Sequence, residues 1–332
     1  MLIFVIEPST INIEENGIDM IEMKGLIISM VFSVSLPLAA NEYIGSGYVI
    51  EGAAKVNTPT LFTCEKGRSR VSPIGVKKIK DKSFIVPANV MYKEKNFASD
   101  LYNECSGVTP KGLSEVDLSA VPIIEVDSDG EVITGYIFAD NYFELFINGK
   151  LIGIDPIPFT PFNSNVVRFK VKKPYDIAIQ VVDWEENSGL GSENNRGKQY
   201  HAGDGGLIAS FSDGTITNSD WSAQTFYTSP IYDLSCAKEV DNLRITKTCN
   251  TKGYDEYIQS YSLHWDIPKN WMLSTAYLSW PQSTEFTENE IGVDNKKSYM
   301  NFQEQFSGSG ASFIWSNNVV LDNLVLFRYK VK

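Results

Sequence analysis

Between Val181 and Gly206 the chain reads VVDWEENSGLGSENNRGKQYHAGDGG, which crowds Asp183, Glu185, Glu186, Asn187, Glu193, Asn194, Asn195 and Asp204 into one stretch. Five glycines in the same stretch (189, 191, 203, 205 and 206) let backbone carbonyls turn inward beside those side chains. Calcium takes about six to eight oxygen ligands at roughly 2.3–2.6 Å and tolerates irregular geometry. Asp183, Glu185, Glu186, Asn187, Glu193 and Asp204 are therefore the expected ligand set for a structural calcium ion. The alternative reading of the same residues is a solvated acidic loop. His201 lies in this loop and is placed to touch a ligand there.

Other constellations carry less. Asp127-Ser128-Asp129-Gly130 begins like a calcium loop, but a donor is missing before the glycine and Phe138 stands at the twelfth position, so it reads as a turn. GSENNRGK (191–198) has five residues between its glycines where a phosphate loop has four, and Gln199 follows the lysine. With only His201 and His264 in the chain, and no G-x-S-x-G or H-E-x-x-H, a nucleophilic triad or a zinc hydrolase is hard to build. A glycosidase needs two carboxyl groups about 5–9.5 Å apart, a spacing that 41 acidic residues satisfy somewhere by chance. Catalysis is accordingly the minor expectation. Trp184 borders the acidic loop, and Trp221 and Trp271 stand among polar neighbours, so these three rings are the candidates for stacking on sugar. Trp265, Trp315 and His264 sit in strand-like context and read as core.

The charge balance, 41 acidic against 29 basic residues for a net −12, repels phosphate backbones and argues against a nucleic-acid partner. From Met23 the chain runs MKGLIISMVFSVSLPLAANEY: one basic residue, an apolar run and small residues at 38–40, the pattern of a secretory signal. The acidic stretch before it cannot serve as a basic leader, so translation is expected to begin at Met23, with residues 1–22 outside the protein and 23–40 removed on export. Pro37 closes the apolar run before it could span a bilayer, and membrane insertion is not expected. In an oxidising compartment the four cysteines should pair. Of three connectivities, proximity favours Cys64 with Cys105 and Cys236 with Cys249.

The elements that position these residues are strands. Short aromatic and β-branched runs recur between Gly, Pro, Asn and Asp punctuation, the pattern of an all-β sandwich or barrel. Strands are expected at 121–126, 131–137, 142–147, 150–154, 166–171, 176–184, 206–211, 260–265, 311–315 and 325–331. Asp129-Gly130 and Asn148-Gly149 are expected hairpin turns, and Asp140 and Asn141 are expected to fix the start of the strand that follows them. The single helical expectation is NFASDLYNE, 96–104. Long connections fall at 185–204 and 233–255. A boundary near residue 128 would divide a small β-rich region (41–127) from a larger sandwich (128–332), unless the strands across Asp129-Gly130 knit the two into one.

ADNYFELFINGKLIG (139–153), SWPQSTEF (279–286) and ASFIWSNNVVLDNLVLFRYKV (311–331) resemble the hairpin and closing strands of galactose-binding-domain-like jelly rolls, which occur as accessory modules of glycoside hydrolases and in secreted adhesive proteins. The resemblance implies a two-sheet antiparallel jelly roll and a carbohydrate ligand; the insert at 185–204 departs from it, so no ligand site carries over. The function expected is a secreted, non-catalytic protein that binds carbohydrate or another cell-surface ligand. An extracellular structural or adhesive component and a carboxylate glycosidase are the alternatives.

Overall fold

The computed structural model describes residues 42–66, 69–187, 189–194, 201–252, 260–273, 277 and 279–332; the expected export signal at 23–40 and Asn195 lie outside them. The strands are β1 (Tyr48–Glu51), β2 (Lys55–Thr58), β3 (Ile74–Ile79), β4 (Lys82–Val86), β5 (Ser99–Tyr102), β6 (Ile123–Glu125), β7 (Glu131–Asp140), β8 (Tyr142–Ile147), β9 (Lys150–Ile154) and β10 (Ser164–Val171). They continue with β11 (Tyr175–Val182), β12 (Gly206–Phe211), β13 (Ser222–Ile231), β14 (Lys238–Val240), β15 (Leu243–Ile245), β16 (Tyr261–His264), β17 (Thr284–Phe286), β18 (Phe313–Trp315) and β19 (Asp322–Val331). Two helical turns, α1 (Glu288–Ile291) and α2 (Lys297–Met300), precede β18.

One sheet has the order β1-β16-β13-β19-β11-β8-β9, and the other β17-β18-β12-β7-β10-β5 with β6 beside β10. The pairings are antiparallel except for β6 on β10. From β9 to β13 the chain changes sheet at every strand, and it does so again from β18 to β19, as a jelly-roll sandwich requires. The all-β two-sheet fold is thus as expected.

Strand alternation explains why so many aromatic residues are needed. Phe143, Leu145, Ile147, Ile177 and Ile179 point between the sheets and meet Ile137, Val167, Phe169 and Leu207 from the other layer. Their neighbours in sequence, Tyr142, Phe146, Ala178 and Val182, face the opposite way and are covered by Val86, Ala88 and Trp271. On the second sheet Phe138, Val166, Ile208 and Phe313 likewise lie under Ile291, Tyr299, Phe302 and Phe306. Both outer faces of the sandwich are therefore dressed with apolar layers. At roughly 1.5–3 kcal/mol for each large apolar side chain buried, these layers hold the coverings in place.

Several local expectations need correction. Within the expected helix at 96–104 the chain instead forms β5 (Ser99–Tyr102): Ser99, Asp100 and Tyr102 pair with β10, which buries Leu101 and Tyr102 in an edge strand. The turn at Asp127–Gly130 does not close a hairpin, because β10 lies between β6 and β7 and pairs with both. The boundary at residue 128 falls inside one compact unit, residues 41–332. β1 pairs with β16, and β5 and β6 pair with β10, so the stretch before the boundary contributes to both sheets. The hairpin at Asn148-Gly149 forms as expected, with positive φ at both residues. Cys64–Cys105 and Cys236–Cys249 are both bonded. No helix among the described residues is long and apolar enough to cross a membrane.

Candidate functional site

Three strand ends meet at one edge of the sandwich. β7 ends on Asp140, β11 ends one residue before Asp183, and β12 begins two residues after Asp204, with Asp140 and Gly206 opposite each other in register. Asn141 ties the corner: its Oδ1 accepts from the Trp184 amide at 2.6 Å and its Nδ2 donates to Asp140 Oδ1 at 2.6 Å. The Asp183 amide donates to the Asn323 carbonyl at 2.8 Å. The acidic loop adds Glu193, whose backbone exchanges two hydrogen bonds with His201.

The result is a cluster of carboxylates in a dry setting. Asp140, Asp183 and Glu193 are buried and Asp204 is half-buried. Burial, reinforced by the neighbouring carboxylates, holds Asp140 and Asp183 well above the usual aspartate range and pushes Asp204 up to about 6. Burial raises Glu193 too, against the pull of Arg70. Arg70 grips Glu193 with both terminal nitrogens, at 3.0 and 3.1 Å, stacks over Phe159 and donates through Nε to Thr160 Oγ1 at 2.9 Å. The Lys296 charge acts on Asp140 and Asp204, and that of His201 on Asp204 and Glu193. Asp183 Oδ2 is buried with no hydrogen-bond partner among the described residues.

Of the six expected calcium ligands, Asp183, Glu193, Asp204 and Glu185 act on one another at this corner, whereas Glu186 and Asn187 are engaged within the loop. Glu185 accepts from the Tyr227 hydroxyl at 3.3 Å and is pushed up to about 8 by burial, with the buried Lys77 ammonium as its neighbouring charge. Glu186 accepts from the Asn194 amide at 2.7 Å, and Asn187 closes a turn with Ser192. As the side chains are placed, no group of three His, Cys, Asp or Glu among the described residues is set to hold a metal ion.

The sugar-stacking candidates need a firmer correction. Trp184 and Trp221 are both 0 % exposed and Trp271 is 7 % exposed. Trp184 donates to the Pro73 carbonyl and meets Tyr142 edge-on, Trp221 stacks on Tyr329, and Trp271 meets Phe146 edge-on. None offers a ring face to a ligand. Polar neighbours in sequence report their own exposure, whereas these rings are covered by segments distant in the chain. His201 is half-buried at the cluster, with Nδ1 3.0 Å from the Ala202 carbonyl oxygen. His264 is a core residue stacked on Tyr227.

A groove of about 570 Å³ is built around Tyr102, Glu104, Thr160, Phe162, Asn295 and Lys296, with Lys66, Lys297 and Ser298 completing its lining. It adjoins the cluster through two residues already described. Thr160 accepts from Arg70, and Lys296 lies over the Phe162 ring at 4.6 Å while acting on Asp140 and Asp204. Sequence reading missed Asp140, Arg70 and Lys296 as members of the site. Arg70 precedes its partner Glu193 by 123 residues, and no local pattern marks that pairing. No protein-family model, curated protein or solved structure matches the chain.

Proposed function

We propose that the protein is an extracellular, carbohydrate-binding β-sandwich whose ligand lies in the groove between Tyr102, Thr160 and Lys296, and that the ligand is an acidic glycan. The observation that carries this reading is the groove's charge. Its lining holds Lys66, Lys296 and Lys297 against the single carboxylate of Glu104, on a chain whose net charge is −12. Such local reversal attracts carboxylated or sulfated sugars and repels none of their hydroxyls, because Thr160, Asn295 and Ser298 supply both donors and acceptors. The two disulfides, the export pattern at 23–40 and the resemblance of 139–153 to carbohydrate-binding jelly rolls support the extracellular setting.

A glycan panel containing neutral, uronate and sulfated polysaccharides, read in chelator, tests the reading. Binding should be confined to the acidic members, should weaken with added salt, and should fall about tenfold or more in Lys296→Ala with Lys297→Ala, the loss of two charge-assisted contacts. Binding only to neutral glycans, or to none, would defeat it.

A further inference from the structure

We propose that Phe97 and Tyr92 build a second subsite, for an uncharged sugar ring, beside the basic groove, so that the ligand is a heteroglycan joining a neutral residue to an acidic one. The inference rests on the glycan reading above and narrows it. A hollow of about 400 Å³ is walled by Phe62, Tyr92 and Phe97 and rimmed by Glu65, Asp100 and Ser106. Among the described residues Phe97 is the one exposed aromatic ring, at 40 %. It is firmly held: the Ala98 amide donates to the Ile154 carbonyl at 2.8 Å, and the Ile154 amide donates to the Asn96 carbonyl at 3.0 Å, so β9 grips the chain on both sides of the residue. Alternation then sends Ala98 into the core and Phe97 outward. Tyr92 braces the ring with centroids 5.0 Å apart and is itself fixed by donating to the Pro156 carbonyl at 2.9 Å. A ring pinned outward at the wall of a hollow leaves apolar surface in water until a ligand covers it. The C–H face of a sugar does so while its hydroxyls reach the rim.

Continuity and charge identify the occupant. Residues 102–105 form the ridge between the two hollows: Tyr102 and Glu104 line the basic groove, Asn103 and Cys105 line the second hollow, and Lys66 lines both. The Cys64–Cys105 disulfide fastens the segment that carries Lys66 to this ridge. Asn103 Nδ2 donates to Asp100 Oδ1 at 2.7 Å, while Asn103 Oδ1 accepts from the Cys105 and Ser106 amides, so the rim is fixed together with the ridge. The basic groove sets Lys66, Lys296 and Lys297 against Glu104, whereas the second hollow sets Lys66 against Glu65 and Asp100. A uronate or sulfate entering the second hollow would meet two carboxylates and be repelled. An uncharged ring meets the same groups as acceptors for its hydroxyls.

The test titrates the full chain by calorimetry with two oligosaccharides of equal length, one built of alternating uronate and N-acetylhexosamine and one of uronate alone. The unsubstituted protein should bind the alternating one more tightly. Phe97→Ala should weaken that binding by about tenfold, the loss of one aromatic anchor, and leave the uronate oligomer within about twofold, whereas Lys296→Ala with Lys297→Ala should weaken both. Phe97→Trp should keep the preference, and the emission of the added indole should shift with the alternating oligosaccharide and not with the other. Equal affinity for the two in the unsubstituted protein, or a preference that survives Phe97→Ala, would overturn the subsite and leave the basic groove standing. Binding of neither would defeat the groove reading itself, and the subsite would fall with it.

Discussion

The molecule buries carboxylates in two quite different ways. Asp322, at the start of β19, is fully buried and accepts from four hydroxyls: Thr225 at 2.9 Å, Thr228 at 2.6 Å, Thr246 at 3.2 Å and Ser316 at 2.5 Å. Asp183, near the start of the acidic loop, is as deeply buried, yet one of its oxygens has no partner among the described residues and its closest company is other carboxylates. Burial pushes Asp322 only up to about 6, because each hydroxyl favours the charged form, whereas Asp183 is driven well above the usual range. Burial of an acid therefore does not mark a site. What distinguishes the loop cluster is that its lone pairs have been left over.

The sharpest way to break this contrast is Asp322→Ala. Four hydroxyls that now donate to one carboxylate would lose it together, in a region where water does not replace it. The variant should lose about 3–5 kcal/mol of stability, read as a lower denaturant midpoint at unchanged m-value. A loss under about 1 kcal/mol would mean that the hydroxyl network is dispensable, and the distinction between the two acids would collapse.

That network also shows what could be read in the sequence and what could not. β8, β9 and their turn were legible because alternation and Asn148-Gly149 are local signals. β13, a ten-residue strand inside the first sheet, was not: SAQTFYTSPI looks polar. Its polar residues are buried because distant partners satisfy them, Asp322 for Thr225 and Thr228 and the Asn242 carbonyl for Gln224. The same limit applied to the candidate site. Asp183, Glu193 and Asp204 were visible as an acidic loop, while Asp140 looked like a turn device and Arg70 and Lys296 had no local signature at all. Trp184, Trp221 and Trp271 failed for the converse reason, since their polar neighbours say nothing of the layers that cover the rings.

A pH profile of unfolding in chelator sharpens the comparison, with a smaller effect. Asp204 and Asp322 are pushed up to about 6 from an ordinary 3.8, and Glu185 up to about 8 from 4.5. In each case the folded chain keeps a proton that the unfolded chain has already released. Stability conferred by these groups is therefore full below about pH 4 and declines as pH rises, to about 6 for the aspartates and about 8 for Glu185. Lys77, lowered to about 8, adds an opposing slope only above that pH. The unfolding midpoint should thus be higher at pH 5 than at pH 8, with Asp204→Asn removing part of the drop below pH 6. A profile flat over this interval would show that the carboxylates have found compensation that the geometry does not display.

The smallest effect on stability should come from the substitution most similar in chemistry to the largest. Asp183→Asn, measured in chelator at neutral pH, replaces a buried carboxyl group whose Oδ2 has no hydrogen-bond partner among the described residues with an amide that can donate to the acidic groups around it. No hydroxyl network loses its acceptor. The change in stability should stay within about 1 kcal/mol, because the amide is isosteric with the carboxyl group and carries no charge to desolvate. Set beside Asp322→Ala on the same denaturant scale, the two acids would then differ by several kilocalories although both are buried to the same degree. If Asp183→Asn instead costs about as much as Asp322→Ala, the cluster is a load of structural hydrogen bonds like the other.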